Sequence, residues 1–253
     1  YSSGICRMYY SLLDSVKFSW EGYHYWDEWE DHINFKDPNG YAKLNKCGAL
    51  FLKSKNSNDF LDNSCKLLNE VNVPFYNLNF METQLYTDLL GMDIKNTYYP
   101  YNLDDSLFGI PVVNNSITGS IYFPQTGYVG DPLLATLNLY HAAKKLGVEY
   151  NFNTKITEIN VDNTNNINGI TTSNNERIYH PIVINCGGPY STQINHMAFT
   201  NNNIISDSNI NCRPLRREVA YTQYDREKFN IDRNGIIVID LDCGLYFRPE
   251  VGN

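Results

Sequence analysis

Between Asp131 and Pro189 the order of elements leaves few folds open. Asp131 is placed to cap a helix beginning at Pro132, because an aspartate oxygen accepts from a first-turn amide and proline needs no amide partner there. Ala135, Leu139, Ala142 and Leu146 recur at helical spacing, and Gly147 ends the helix. Strands are predicted at 148–153 and 155–161, then an Asn-rich turn and hairpin arms at 167–172 and 176–180. A further apolar strand, Ile182-Val183-Ile184, runs into Asn185-Cys186-Gly187-Gly188-Pro189. Helix, meander, then an apolar strand entering two glycines is an order by which α/β folds bring backbone amides up to a phosphate. The glycine pair by itself equally describes a tight strand-to-helix turn with no ligand.

The flanking regions extend the pattern. Cys47 to Lys53 reads as a buried strand, 59–70 and 81–90 as helices, and 93–118 as loop with short strand. Ile121-Tyr122-Phe123 is a short strand before the turn at Gly127. Strands are also predicted at 213–223, 235–241 and 244–248. No internal repeat is visible. With 253 residues, 42% hydrophobic and 19% charged, the chain can bury a sizeable core.

Several classes are disfavoured. A net charge of -8 argues against a broad nucleic-acid surface. Arg213, Arg216 and Arg217 are the local exception, and a strand crossing between domains accounts for them better than an anion patch. The aromatic cluster Trp20, Tyr23, Tyr25, Trp26 and Trp29 is flanked by acidic residues, so a helix packed on a sheet is expected rather than a base-stacking platform. No apolar stretch reaches the roughly 18 residues that span a bilayer, and no targeting peptide is legible at the start of the sequence. The six cysteines form no C-x-x-C pair, so no metal site or redox dithiol is signalled. Their scatter fits a reducing compartment, cytoplasmic or mitochondrial. The five histidines form no spaced set, and His141, on the long helix, is the least suited to catalysis.

Taken in order, several segments resemble the D-amino-acid oxidase, sarcosine oxidase and glycine oxidase family of FAD-dependent oxidoreductases. Ser2-Ser3-Gly4-Ile5-Cys6-Arg7 is similar to that family's Ser-x-Gly-Gly-x-Arg segment, and Cys47-Gly48-Ala49-Leu50-Phe51-Leu52 to its Gly-x-Leu-x-Leu strand. Thr126-Gly127-Tyr128-Val129-Gly130-Asp131-Pro132 resembles the turn before its Ala-Ala-x-x-x-Gly-Val helix. Gly187-Gly188-Pro189-Tyr190-Ser191 resembles its Ala-Gly-Pro-Trp-Ser turn. Pro214-Leu215-Arg216-Arg217 and Gly244-Leu245-Tyr246-Phe247-Arg248-Pro249-Glu250 resemble the first and a central strand of its substrate sheet. The family's Gly-x-Gly-x-x-Gly loop lies upstream of the first of these segments and its C-terminal glycine-rich segment downstream of the last. Neither is among the 253 residues, so the sequence is expected to be the middle of such a protein and to bind FAD weakly alone.

The resemblance implies an α/β fold, a Rossmann-like FAD-binding domain (1–22 and 126–205) interwoven with a mixed-sheet substrate domain (23–125 and 206–253). It implies FAD as cofactor, a small-molecule substrate and hydride removal from a carbon beside an amine. Ser2, Ser3, Gly4, Ile156, Gly187, Gly188, Pro189 and Arg216 are then the cofactor-binding positions. Arg7 is the cation near the reduced flavin, Tyr246 lines the substrate pocket, and Arg248 clamps a substrate carboxylate. Plainer readings stand beside these: Arg7 as a surface arginine, Tyr246 as strand packing, and Arg248 as an ion pair with Glu250. Alternatives for the whole are a dehydrogenase of a hydroxyl substrate such as glycerol 3-phosphate, and an assembly or scaffold protein without turnover.

Overall fold

A computed structural model describes residues 3–55, 58–88, 94, 96–98, 106–107, 110–199, 212, 219–221 and 235–249. Ser2, Arg213, Arg216, Arg217 and Glu250 lie outside the described residues, as does most of the strand predicted at 213–223. The chain divides into two compact units, 1–148 with 223–253, and 149–222.

The first unit contains β1 (Ile5–Cys6), α1 (Leu13–Asp27), α2 (Trp29–Ile33), β2 (Leu44–Asn45), β3 (Ala49–Ser54) and α3 (Asn58–Val71). After these come β4 (Tyr76–Asn79), α4 (Phe80–Asp88), β5 (Asn96–Tyr98), β6 (Pro111–Phe123), β7 (Gly127–Val129) and α5 (Pro132–Lys145). Its main sheet runs β12-β11-β3-β6-β4, with β5 also paired to β6; β11 (Ile237–Asp240) and β12 (Leu245–Phe247) come from the end of the chain. β11 lies parallel to β3 and the other pairs are antiparallel, so the sheet is mixed.

β3 reads as an unbroken apolar run because both of its faces are covered. Ala49 and Phe51 enter one core with Val16 and Tyr23 of α1 and Leu61 and Leu68 of α3. Leu50 and Leu52 enter a second core, joined by Ile117 and Val238, against which Phe80 and Tyr86 of α4 pack. The helices at 59–70 and 81–90 are therefore present, the second as far as its residues are described. The segment 93–118 departs from expectation. It contributes β5 and the first half of the 13-residue β6, whose three partner strands supply the ladder that the Asn-rich sequence does not advertise.

The capped helix forms as its sequence indicates. Asp131 accepts from the Leu134 amide at 2.9 Å, Pro132 opens α5, and the Gly147 amide closes it on the Lys144 carbonyl. Past it the expected strand at 148–153 is not formed. The Val148 amide turns back to the Ala143 carbonyl, and Tyr150 stacks on Phe152.

The second unit holds the antiparallel meander β8 (Ile156–Val161), β9 (Ile167–Thr172) and β10 (Arg177–Tyr179), followed by a 3-10 turn and α6 (Ser191–Ala198). Here too one expectation fails. Ile182-Val183-Ile184 is not a strand: no neighbour among the described residues supplies a ladder, and Ile182 and Ile184 stay 74% and 79% exposed. Apolarity alone does not make a strand when the hydrogen bonds lack a partner.

Candidate functional site

Tyr128 stands at the centre of a small sheet ordered β1-β7-β2. It faces Ile5 on one side and Asn45 on the other. Around it the Val129 amide donates to the Gly4 carbonyl at 2.8 Å, and the Gly48 amide donates to the Thr126 carbonyl at 2.8 Å. The Gly48 carbonyl in turn accepts from Ile237, which starts β11. Three sequence segments far apart in the chain, at 3–7, 47–52 and 126–132, are thus held together by backbone bonds.

Arg248 joins them. It follows the last residue of β12, and its guanidinium lies 4.3 Å from the centre of the Tyr128 ring while Nη1 donates to the Pro249 carbonyl at 2.9 Å. Its charge also reaches Cys47, whose thiol is nonetheless pushed up to about 11 because burial outweighs it. Tyr246 pairs with Ile239 across β12 and β11 and is 42% exposed. Arg7 is exposed, with its guanidinium 5.2 Å from the Tyr10 ring, while its neighbours Met8 and Tyr9 are buried. Burial drives the Tyr9 hydroxyl up to about 12.

Gly4 has a packing explanation. Its φ is +64°, and a Cβ there would lie 2.5 Å from the Val129 carbonyl oxygen. β7 therefore demands glycine at this position whether or not a ligand is bound. Ser3 is half-buried just before β1.

In the second unit, Asn185 organises the glycine turn. Its Oδ1 accepts from the Gly187 amide at 3.0 Å, and its Nδ2 donates to the Ser191 carbonyl and to Asn195 Oδ1. Gly188 has φ +53° and open space where a side chain would begin, and Pro189 leads into the 3-10 turn and α6. A phosphate can approach backbone in such a turn, whereas Gly187 is closed off by Ile194. Ile156 starts β8, opposite Thr172.

Sequence reasoning missed a third cluster. Asp37 accepts at Oδ2 from Asn138 Nδ2 at 2.9 Å and faces His141 Nδ1 at 2.8 Å, while Oδ1 accepts from the Asn39 amide and side chain. Asn138 Oδ1 accepts from Trp29 Nε1 and from the Ala42 amide. The network ties α2 and the 37–42 turn to α5. It holds the Asp37 carboxyl down at about 2, first through the Asn39 amide and then through His141 and Asn138, against the opposing effect of burial. A polar residue at 138, in step with Ala135 and Ala142 on the buried stripe, was the available signal. Trp29 and Tyr23 meanwhile pack into the cores as expected for helices on a sheet.

The model of the FAD dependent oxidoreductase family matches residues 1–253. This chain belongs to that family, whose members are FAD-dependent oxidoreductases. Its fold is similar to L-proline dehydrogenase from P. horikoshii, at TM-score 0.57 and 20% identity over 76% of this chain and 43% of that one. It is also similar to glycine oxidase from Geobacillus kaustophilus, at TM-score 0.54 and 14% identity over 78% of this chain and 46% of that one. The chain thus spans under half the length of these structures. No curated protein matches. The open space at Gly188 leaves room for a group of the family's cofactor to approach that turn. Among the described residues no helix is long and apolar enough to cross a membrane, and no cluster of three His, Cys, Asp or Glu side chains could hold a metal ion.

Proposed function

We propose that the protein is an enzyme oxidising an amine or amino-acid-like substrate, with FAD accepting the hydride when bound. The observation that carries this reading is Arg248. Its guanidinium stands 4.3 Å from the centre of the Tyr128 ring, beside the frame that joins the 3–7, 47–52 and 126–132 segments. Donors arranged in a planar fork suit a carboxylate. Tyr246, two residues earlier and partly exposed, supplies an aromatic wall in the same stretch of chain. The names of the structural relatives, a proline dehydrogenase and a glycine oxidase, agree with an amino-acid substrate. In this reading Arg248 orients the substrate by its carboxylate, Tyr246 shields it from water, and Arg7 supplies positive charge near the reduced cofactor. Gly188 and Pro189, with Ser2, Ser3, Gly4, Ile156, Gly187 and Arg216, are the cofactor-contacting positions.

The test is spectroscopic. Full-length protein reconstituted with FAD is mixed, without oxygen, with amino acids, N-methyl amino acids, 2-hydroxy acids and glycerol 3-phosphate. Loss of flavin absorbance with the amines is the expected result. Bleaching by hydroxyl substrates alone, or by none of the panel, overturns the reading.

A further inference from the structure

His141, Lys144 and Lys145 stand three and four residues apart on α5 and so share one face of its last turns. That face borders a cleft of about 310 Å³ that Phe35 and Pro38 complete. The local backbone sets both apolar walls. Asn34 ends α2 in the left-handed region, at φ +46°, and Phe35 follows it out of the helix. Pro38 sits inside a turn closed twice by Asp37, whose Oδ1 accepts from the Asn39 amide at 2.9 Å and whose carbonyl accepts from the Gly40 amide at 3.1 Å. His141 is fixed from behind: its Nδ1 faces the enclosed Asp37 carboxylate at 2.8 Å, and the ring remains 28% exposed.

The two lysines lie along aromatic rings. Lys144 Nζ is 5.7 Å from the centre of the Tyr140 ring and donates to the Tyr140 hydroxyl at 3.4 Å, while Lys145 Nζ is 5.2 Å from the centre of the Phe35 ring. An ammonium has three N–H donors, so both keep donors to spare. Among the described residues neither lysine has a carboxylate within ion-pair distance. A chain of net charge -8 therefore carries a cleft of carbon walls and cations with no acidic residue in its lining. Glu30 and Asp31 line a neighbouring cavity, which shares only Phe35 and Lys145 with this one. The carbonyl end of a helix favours basic residues in its own right. That accounts for the lysines, but not for the apolar walls facing them.

We propose that this cleft binds a small aromatic carboxylate, with Phe35, Pro38 and the lysine stems against its ring and the ammonium groups of Lys144 and Lys145 on its carboxylate. Charge alone would admit any small anion; the carbon walls add affinity only for one with an apolar body. The opposite sign of ligand and rim selects the anion over its neutral counterpart. Arg7, Tyr246, Arg248 and the turn at Gly188 are not part of the lining, so occupancy is independent of which substrate the protein oxidises.

The experiment titrates full-length protein, reconstituted with FAD, with 2-naphthoate, 2-naphthamide and acetate by calorimetry, recording flavin absorbance alongside. A ligand against the flavin perturbs its spectrum; one in this cleft does not, so spectrally silent binding is the readout. Silent binding of 2-naphthoate is expected, with 2-naphthamide and acetate each weaker by about 5-fold or more. Lys144→Gln with Lys145→Gln, both exposed, is expected to weaken it by about 5-fold or more. Lys17→Gln with Lys66→Gln removes the same charge from exposed positions elsewhere and should leave it unchanged. The proposal is overturned if 2-naphthoate shows no silent binding, or if the amide or acetate binds as tightly. It is equally overturned if the 144 and 145 pair has no effect, or no more effect than the 17 and 66 pair.

Discussion

His141 Nδ1 stands 2.8 Å from Oδ2 of an Asp37 carboxylate whose side chain is closed to solvent. That pair gives the first unit a defined acid sensitivity. The Asp37 carboxyl is held at about 2 against an ordinary 3.8, so the folded chain takes up its proton less readily than the unfolded chain does. Its contribution to stability is whole above about pH 4 and is lost as pH falls toward about 2. Urea midpoints measured across that range should fall more steeply for the parent than for Asp37→Asn, which no longer titrates there.

The same network makes Asn138 a buried keystone. It is fully buried, and replacing it by alanine strands Trp29 Nε1, the Ala42 amide and the Gly40 carbonyl at once. Unsatisfied buried groups of this kind cost about 1–3 kcal/mol each, with water repairing part of the damage. Asn138→Ala should lose about 3 kcal/mol by urea denaturation, and Trp29→Phe, which removes one donor and keeps most of the ring, about 1 kcal/mol.

Local signals were legible wherever one residue dictates its own surroundings. Asp131-Pro132 and Gly147 bounded α5 because capping is a matter of three or four consecutive residues. The run at 47–53 announced a strand covered on both faces for the same reason. What stayed hidden depends on partners distant in sequence. Ile182-Val183-Ile184 looks like a strand and finds no neighbour among the described residues, whereas the Asn-rich start of β6 looks like loop and finds β5. The Asp37–Asn138–His141 network spans about a hundred residues, and no spacing rule connects its members. The contact between Arg248 and the Tyr128 ring was hidden for the same reason, because it joins two sheets.

The cysteines allow a chemical test of burial. Burial drives Cys6, Cys47 and Cys65 up to about 11 and Cys243 up to about 12. Only the thiolate is nucleophilic, and at pH 8 a thiol of pKa 11 is ionised to roughly one part in a thousand. Cys186, beside the glycine turn, is exposed. Brief iodoacetamide treatment of the native protein, read by peptide mass spectrometry, should label Cys186 well ahead of these four. Labelling of Cys47 at a comparable rate would mean that the strand start at Gly48 opens in solution.

Gly4 and Gly188 differ in the space around them, closed at the first and open at the second. Both have positive φ, so alanine carries a backbone penalty of about 1–2 kcal/mol at either position. At Gly4 the added carbon also meets the Val129 carbonyl, forcing β1 away from β7. Gly4→Ala should therefore lower the thermal midpoint well beyond the backbone penalty alone. At Gly188 the space is open, so Gly188→Ala should cost no more than the backbone term in the protein without cofactor. Its larger effect is expected on the holoprotein: if a cofactor phosphate sits against that turn, the methyl group intrudes on it, and FAD affinity falls by about 10-fold or more, equivalent to about 1.4 kcal/mol or more. Flavin release followed by fluorescence, beside a melting curve of the apoprotein, reads the two quantities apart. A Gly188→Ala protein that melts about as that penalty allows and retains FAD as tightly as the parent would remove this turn from the cofactor site.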